Sequence, residues 1–321
     1  EGSWVDARID HAQPDRAPLP KPDIRCMKRP LGPVAVFCAS NFPLAFSVAG
    51  GDTAAALAAG CSVIAKAHSS HPGLAEIVGA CVTEAAKECG MPEGVFSLLY
   101  GSGRSVGTAL VEHPAIQAVG FTGSRAGGTA IMKAAAQRPQ PIPVYAEMSA
   151  VNPVVFLPSA LAVGGEALAE AFFGSLTLGV GQFCTNPGLV FLPDGHGDEF
   201  LAKLSSLVEG GAGGVMLNAG ICDAFAASTA AMVAIDGVET LAAAPTESGR
   251  GTPALFSISL ERFREDPALQ AEMFGPATLV VRGKLEEMAP AVAALEGQLV
   301  GTIHGTAAEL QTHADLVTAL E

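Results

Sequence analysis

From Leu31 onward, short continuous apolar runs alternate with longer stretches of mixed polarity. Residues 33–38, 61–66, 94–100, 116–121 and 143–146 read as strands. Residues 45–59, 73–89, 105–112 and 127–136 read as the helices between them. Runs of four to eight apolar residues separated by helical periodicity argue for parallel strands with crossover helices, a doubly wound α/β sheet. In such sheets ligands sit beyond the carboxyl ends of the strands. Lys66, Gly101 to Gly103, Thr122 to Ser124 and Glu147 all fall at such ends, which predicts one composite site.

A second α/β unit opens at residues 152–157, with a helix over 166–173 and further alternation to Glu321; the glycine-rich stretch 209–214 reads as a loop. Residues 1–30, rich in Pro, Asp and Arg, read as an extended arm. The organisation expected is therefore an arm over 1–30, one domain over 31–150 and a second over 151–321.

Composition narrows the function classes. With 321 residues, 49% hydrophobic and 16% charged, the chain can bury a substantial core in about two domains. A net charge of -14 with no Lys/Arg run disfavours nucleic acid as a partner. Apolar stretches are broken by Pro, Gly or Asn before membrane-span length, so no membrane span and no signal peptide are expected. Seven cysteines without CxxC spacing suggest free thiols in a reducing cytoplasm and no metal site.

One cysteine stands apart. Cys184 ends Gly181-Gln182-Phe183-Cys184 and precedes the turn signal Thr185-Asn186-Pro187-Gly188, so its thiol can be open to substrate while backbone amides hold it. A structural cysteine remains the alternative there, and the other six read as small buried thiols. Gly101-Ser102-Gly103-Arg104-Ser105-Val106-Gly107 lies between a strand and a helix and could approach a phosphate, or simply form a tight turn. Val106 occupies the third-glycine position of a dinucleotide fingerprint. The same stretch holds a formal GxSxG, which would make Ser105 a hydrolase nucleophile.

Phe121-Thr122-Gly123-Ser124 is a second candidate anion loop, or a glycine turn with a serine cap. Asn41 in Ser40-Asn41-Phe42-Pro43 offers an amide at a strand end, though an ordinary turn asparagine reads the same. Lys66 closes an apolar strand and calls for an anionic or hydroxyl partner. Glu147 also follows an apolar strand, suited to general-base work or simply solvated. Glu272-Met273-Phe274-Gly275-Pro276 pairs a carboxylate with an aromatic before a turn.

Taken in order, these blocks resemble the aldehyde dehydrogenase superfamily over roughly residues 31–276. The text around Lys66 to Gly73 and Pro143 to Met148 is most similar to the 2-oxoglutarate semialdehyde (2,5-dioxopentanoate) dehydrogenase branch. The resemblance implies a cofactor domain followed by a cysteine-bearing catalytic domain. It implies Cys184 as nucleophile, Asn41 as oxyanion donor and Glu147 as the base for deacylation. Cofactor contacts would fall on Lys66, His68, Ser69, Gly103, Arg104, Gly107, Phe121, Gly123, Ser124, Glu272 and Phe274. Phe42, Phe46, Ala49, Phe183 and Thr185 would line the substrate tunnel.

Ser69 stands where NAD-preferring members carry Glu, and Arg104 could pair with a 2'-phosphate, so NADP is expected over NAD. A small aldehyde is the expected substrate and a homo-oligomer, dimer or tetramer, the expected assembly. An NADP-dependent fatty or general aldehyde dehydrogenase, or a non-catalytic nucleotide-binding relative, are the competing readings. Ser40 replaces a Trp usual before Asn-Phe-Pro, and Ser149-Ala150 replace a usual Gly-Gly. By the same resemblance, the chain is expected to be truncated at both ends and incomplete at the C-terminal side of its catalytic domain.

Overall fold

A computed structural model describes residues 6–321, which form two compact units dividing between Met148 and Ser149. In the first unit, β1 (Ala7–Asp10) and β2 (Ile24–Met27) pair antiparallel, with Ala7 opposite Met27. The expected extended arm is thus a folded-back ribbon. Its strands are joined by a segment holding Pro14, Pro18, Pro20 and Pro22, whose missing N–H groups suit a connection better than a ladder.

Next come β3 (Val34–Phe37), α1 (Gly51–Ala58), β4 (Val63–Lys66), α2 (Pro72–Glu88) and β5 (Phe96–Leu99). α3 (Thr108–Glu112), β6 (Ala118–Thr122), α4 (Arg125–Ala136) and β7 (Val144–Glu147) complete the unit. The five strands from β3 to β7 form one parallel sheet in the order β5-β4-β3-β6-β7. The chain winds outward from β3 in one direction and then crosses back to β6, so the strand order reverses between β3 and β6. A crevice opens at the carboxyl ends at such a point.

Alternate residues of β3 serve opposite faces, which is why the strand is apolar throughout. Ala35 and Phe37 pack with Leu110, Val111 and Ala135; Val34 and Val36 pack with Ala56, Val63 and Ala118. The first helix begins at Gly51, later than the sequence pattern predicts. Residues 41–50 instead form consecutive turns, with Phe46 N–H donating to the Phe42 carbonyl and Ala39 N–H to the Phe46 carbonyl. Gly50 is needed there because a Cβ would strike the Ala45 carbonyl.

The second unit contains β8 (Pro153–Phe156), α5 (Pro158–Thr177), β9 (Leu189–Pro193), α6 (Asp198–Glu209), β10 (Gly214–Val215) and α7 (Ala219–Val233). β11 (Glu239–Ala243), β12 (Arg250–Gly251), β13 (Ala254–Ser259), α8 (Leu260–Glu265), β14 (Ala277–Gly283), α9 (Met288–Ala293) and β15 (Thr302–His304) follow. α10 (Ala307–Thr312) and α11 (Ala314–Leu320) close the chain. Six strands form a sheet ordered β11-β13-β14-β9-β8-β15, parallel except for the antiparallel edge strand β11. Val190, Leu192, Leu255 and Val280 face α5 and α6 through Leu161, Phe172, Phe200 and Leu204. Phe191, Phe256, Leu279 and Val281 face α7, α8 and α9 through Phe225, Phe263 and Met288.

α5 extends well beyond the helix predicted over 166–173 because Pro158 starts it and an irregular residue, Gly164 (φ -143°), is absorbed within it. By length and composition alone this helix is long and apolar enough to cross a membrane. In this fold it lies against the sheet and α6, burying Leu161, Ala169, Phe172 and Leu176.

Candidate active site

The carboxyl ends of β3, β4, β5 and β6 enclose a cleft of about 1030 Å³ within the first unit. Lys66, His68, Ser69, Gly103, Arg104, Phe121, Gly123 and Ser124 line it, so eight of the expected cofactor contacts share one wall system. Its cations are Lys66 and Arg104, and no carboxylate lines it among the described residues. In a chain of net charge -14 this is a locally positive recess. Lys66 is buried, and burial pulls its ammonium below the usual lysine range.

Two helical N-termini open on the cleft. Ser124 caps α4 by accepting the Gly127 N–H at 3.3 Å. The serine-cap alternative is thus what the structure shows at this loop. Gly123 N–H donates to the Glu147 carbonyl at 3.1 Å, continuing the β6–β7 register in which Thr122 pairs with Glu147. The Phe121 ring underlies this loop, so closely that a Cβ at Gly123 would approach its Cζ to 2.9 Å and one at Gly127 to 3.0 Å.

The second N-terminus is a π-helical turn over Gly103–Gly107, in which Gly107 N–H donates to the Ser102 carbonyl. Gly107, expected as a cofactor contact, is not among the residues that line the cleft. It is buried on β3, where a Cβ would lie 3.0 Å from Phe37 Cε1. The wider turn inserts one residue, so Gly107 does the close-packing work of the third fingerprint glycine and Val106 is no defect. Ser105 is exposed and its hydroxyl pairs with that of Ser102 at 2.8 Å. Its backbone is not left-handed, so the turn lacks the strained elbow on which a hydrolase nucleophile sits.

His68 is held down to about 4 by burial first, then by the charges of Lys66 and His71. Ser70 N–H donates to its Nδ1 at 3.1 Å, so the neutral ring carries its proton on Nε2. Asn41 and Glu147 are both half-buried at the ends of β3 and β7. Phe42 and Phe46 contact edge to face with centroids 5.4 Å apart, Phe46 and Ala49 being exposed.

In the second unit, Cys184 is half-buried in an irregular loop between α5 and β9. Three consecutive left-handed residues lead into it, Gly179 (φ 58°), Val180 (φ 59°) and Gly181 (φ 66°). Such a backbone is costly for a β-branched residue. Val180 is held there by packing on the glycine niche of Gly214 and Gly251. Gly181 is obligatory, since a Cβ would collide with the Gly275 backbone.

Phe183, Glu272 and Phe274 border one small cavity of about 10 Å³ together with Ala150 and Asn186. Thr185 is exposed and does not line it. Burial pushes the Glu272 carboxyl up, opposed by hydrogen bonds from the Ser149 hydroxyl and the Ala150 N–H. Among the other cysteines, Cys38 and Cys61 are buried, whereas Cys26, Cys81 and Cys89 are exposed, against the expectation of six buried thiols. Cys81 and Cys89 lie on or just after the outer face of α2, where helical periodicity alone does not say which side is covered.

The aldehyde dehydrogenase family model matches residues 3–220. This chain is a member of the aldehyde dehydrogenase family. It is 52% identical over 326 positions to alpha-ketoglutaric semialdehyde dehydrogenase 2 of Azospirillum brasilense, covering 100% of this chain and 62% of that protein. It is 43% identical to alpha-ketoglutaric semialdehyde dehydrogenase of Acinetobacter baylyi, covering 99% of this chain and 61% of the relative. This family member thus spans about three-fifths of the length of these curated relatives. Its fold is shared with an NAD-dependent benzaldehyde dehydrogenase from Corynebacterium glutamicum, at a TM-score of 0.79 and 23% identity over 99% of this chain and 67% of that one. The α/β architecture expected for the family is therefore present.

Sequence reasoning gives no role to the side chains of Asn152, Ser149 and Gln298, whose bonds reach Cys184, Glu272 and Val151. Asn152 stood next to a proline and Ser149 at a departure from the family pattern, but neither position carries its long-range partner in the sequence.

Proposed function

We propose that the protein oxidises an aldehyde, 2-oxoglutarate semialdehyde, to the carboxylic acid with NADP. The relatives named above support the substrate class. The observation that carries the cofactor choice is the cleft that presents Lys66 and Arg104 and no carboxylate. Its volume and two helix N-termini fit a phosphorylated dinucleotide, with Lys66 toward the adenosine ribose and Arg104 with Ser69 toward a 2'-phosphate. When bound, the nicotinamide supplies the hydride acceptor.

The Cys184 thiolate adds to the aldehyde carbon, giving a thiohemiacetal. The Asn41 amide and the Cys184 N–H stabilise the oxyanion as it forms. Loss of hydride from that carbon leaves a thioester on Cys184. Glu147 takes a proton from the water that attacks the thioester, and the carboxylic acid leaves as the thiol is restored. Glu272 and Phe274 act on the nicotinamide ribose side, and Phe42, Phe46, Ala49, Phe183 and Thr185 contact the substrate.

Seven free cysteines support a cytoplasmic location, and the exposed apolar residues Ile9, Ile24 and Met27 of the ribbon support homo-oligomeric assembly. The test uses the full-length protein with 2-oxoglutarate semialdehyde and a panel of aldehydes lacking its carboxylate. The expected result is NADPH formation, abolished by Cys184→Ala with NADP binding retained, and kcat/KM higher for NADP than NAD. Binding without turnover, or a clear NAD preference, overturns the corresponding part.

A further inference from the structure

The loop carrying Cys184 has no regular ladder of its own, and a buried side chain, that of Asn152, holds two of its carbonyls. Asn152 donates from Nδ2 to the Cys184 carbonyl at 2.9 Å and to the Asn186 carbonyl at 2.9 Å. Its Oδ1 accepts the Val300 N–H at 3.2 Å. Its own N–H and that of Val151 both donate to Oε1 of Gln298, at 3.0 and 2.7 Å. Asn152 is only 2% exposed and is left-handed, with φ 48°. Asparagine is the residue besides glycine that tolerates this conformation best.

Three chain segments, around residues 152, 184 and 298, therefore meet at one amide. The remaining bonds of the loop agree with this arrangement. Asn186 Nδ2 donates to the Gly275 carbonyl at 3.0 Å, and Gly188 N–H donates to the Val151 carbonyl at 3.0 Å. A single NH₂ group thus holds the carbonyl of Cys184 itself and that of Asn186, two residues further on. The direction of the Cys184 carbonyl constrains the backbone of the same residue whose thiol and N–H must be aimed.

We propose that Asn152 and Gln298 are positioning residues for the nucleophile, Gln298 fixing the Asn152 backbone and Asn152 fixing the Cys184 peptide. The proposal rests on the reading of Cys184 as nucleophile. Glycine at position 152 can adopt the left-handed backbone but has no amide, so Asn152→Gly separates the side chain's role from the backbone's. Gln298→Glu keeps an oxygen acceptor for the two N–H groups, whereas Gln298→Leu leaves both unpaired.

The experiment measures kcat, aldehyde KM and NADP Kd on the full-length protein. Amide hydrogen exchange is followed in parallel over residues 182–188, with β9 (Leu189–Pro193) as internal reference. Asn152→Gly and Gln298→Leu are expected to lower kcat by tenfold or more, since misplacing a reacting group by about 1 Å costs ~100-fold. KM and Kd should change little, exchange should quicken over 182–188 alone, and Gln298→Glu should recover most of the rate. Unchanged kcat and exchange in Asn152→Gly, or equal loss of protection in β9, overturns the proposal. The exchange arm needs no turnover: a full-length protein without aldehyde oxidation would sink the proposed reaction, while the clamp itself would still stand or fall on the loop's protection.

Discussion

The hydroxyl of Ser149 donates a hydrogen bond to the Glu272 carboxylate, and the adjoining Ala150 N–H donates a second. Position 149 is where the resemblance calls for glycine, so the chain's departure from the pattern supplies a donor that glycine lacks. Both bonds favour the charged carboxylate, while burial, the larger effect, disfavours it.

That balance fixes the sign of a pH effect. The Glu272 carboxyl is raised in the folded state, so its contribution to stability is full below its unfolded value, about 4.5, and is lost as pH rises through the folded value. Ser149→Ala removes one bond to the charged form and raises the carboxyl further. The variant should lose about 1 kcal/mol at pH 7 and almost nothing at pH 4, read as urea midpoints. Equal losses at both pH values would refute this.

His68 has the opposite dependence. Its folded value of about 4 lies below the unfolded value of about 6.5, so between them only the unfolded chain takes up the proton. Stability should fall as pH drops through that window, by at most about 3 kcal/mol. His68→Asn keeps an acceptor for the Ser70 N–H and should flatten the slope. A variant that parallels the parent from pH 7 to pH 4 would contradict the assignment.

Gly107 predicts a packing cost. Valine there would push two methyl groups toward Phe37, destabilising the first unit by about 2 kcal/mol and weakening NADP binding. Chemical denaturation with and without nucleotide measures both. Parent-like stability in Gly107→Val would show that β3 and the π turn can separate without loss.

Ser69→Glu places a carboxylate in the cleft beside Lys66. Like-charge repulsion against a 2'-phosphate should cut kcat/KM for NADP at least about tenfold and leave NAD the better cofactor. Steady-state kinetics with both nucleotides decides it, and an unaltered ratio would remove Ser69 from cofactor choice.

The parallel sheets were legible because β3, β6, β8 and β9 are apolar on both faces, a pattern local to each strand. Lys66, Gly123 and Ser124 were legible for the same reason, since a strand end is a local feature. The start of α1 was misplaced because the turns of residues 41–50 are closed by hydrogen bonds among Ala39, Phe42 and Phe46, in a stretch whose apolar spacing suits a helix equally well. The π turn over Gly103–Gly107 was not legible, because hydrogen-bond register leaves no mark in composition. The partners of Asn152 and Ser149 lie far along the chain, and a single sequence does not display pairings of that range.

The Gln298 contact to Val151 spans 147 positions, and β15 lies beside β8 across a similar interval. Loop closure over such a distance is entropically costly and comes late. A ribosome releases the Cys184 loop well before it releases the residue that fastens Asn152, so the nascent chain carries its thiol unaimed. If Asn152 and Gln298 position Cys184 as proposed, the Cys184 loop is fastened only when β15 docks on β8, and an agent that prises those two strands apart should quicken amide exchange over residues 182–188.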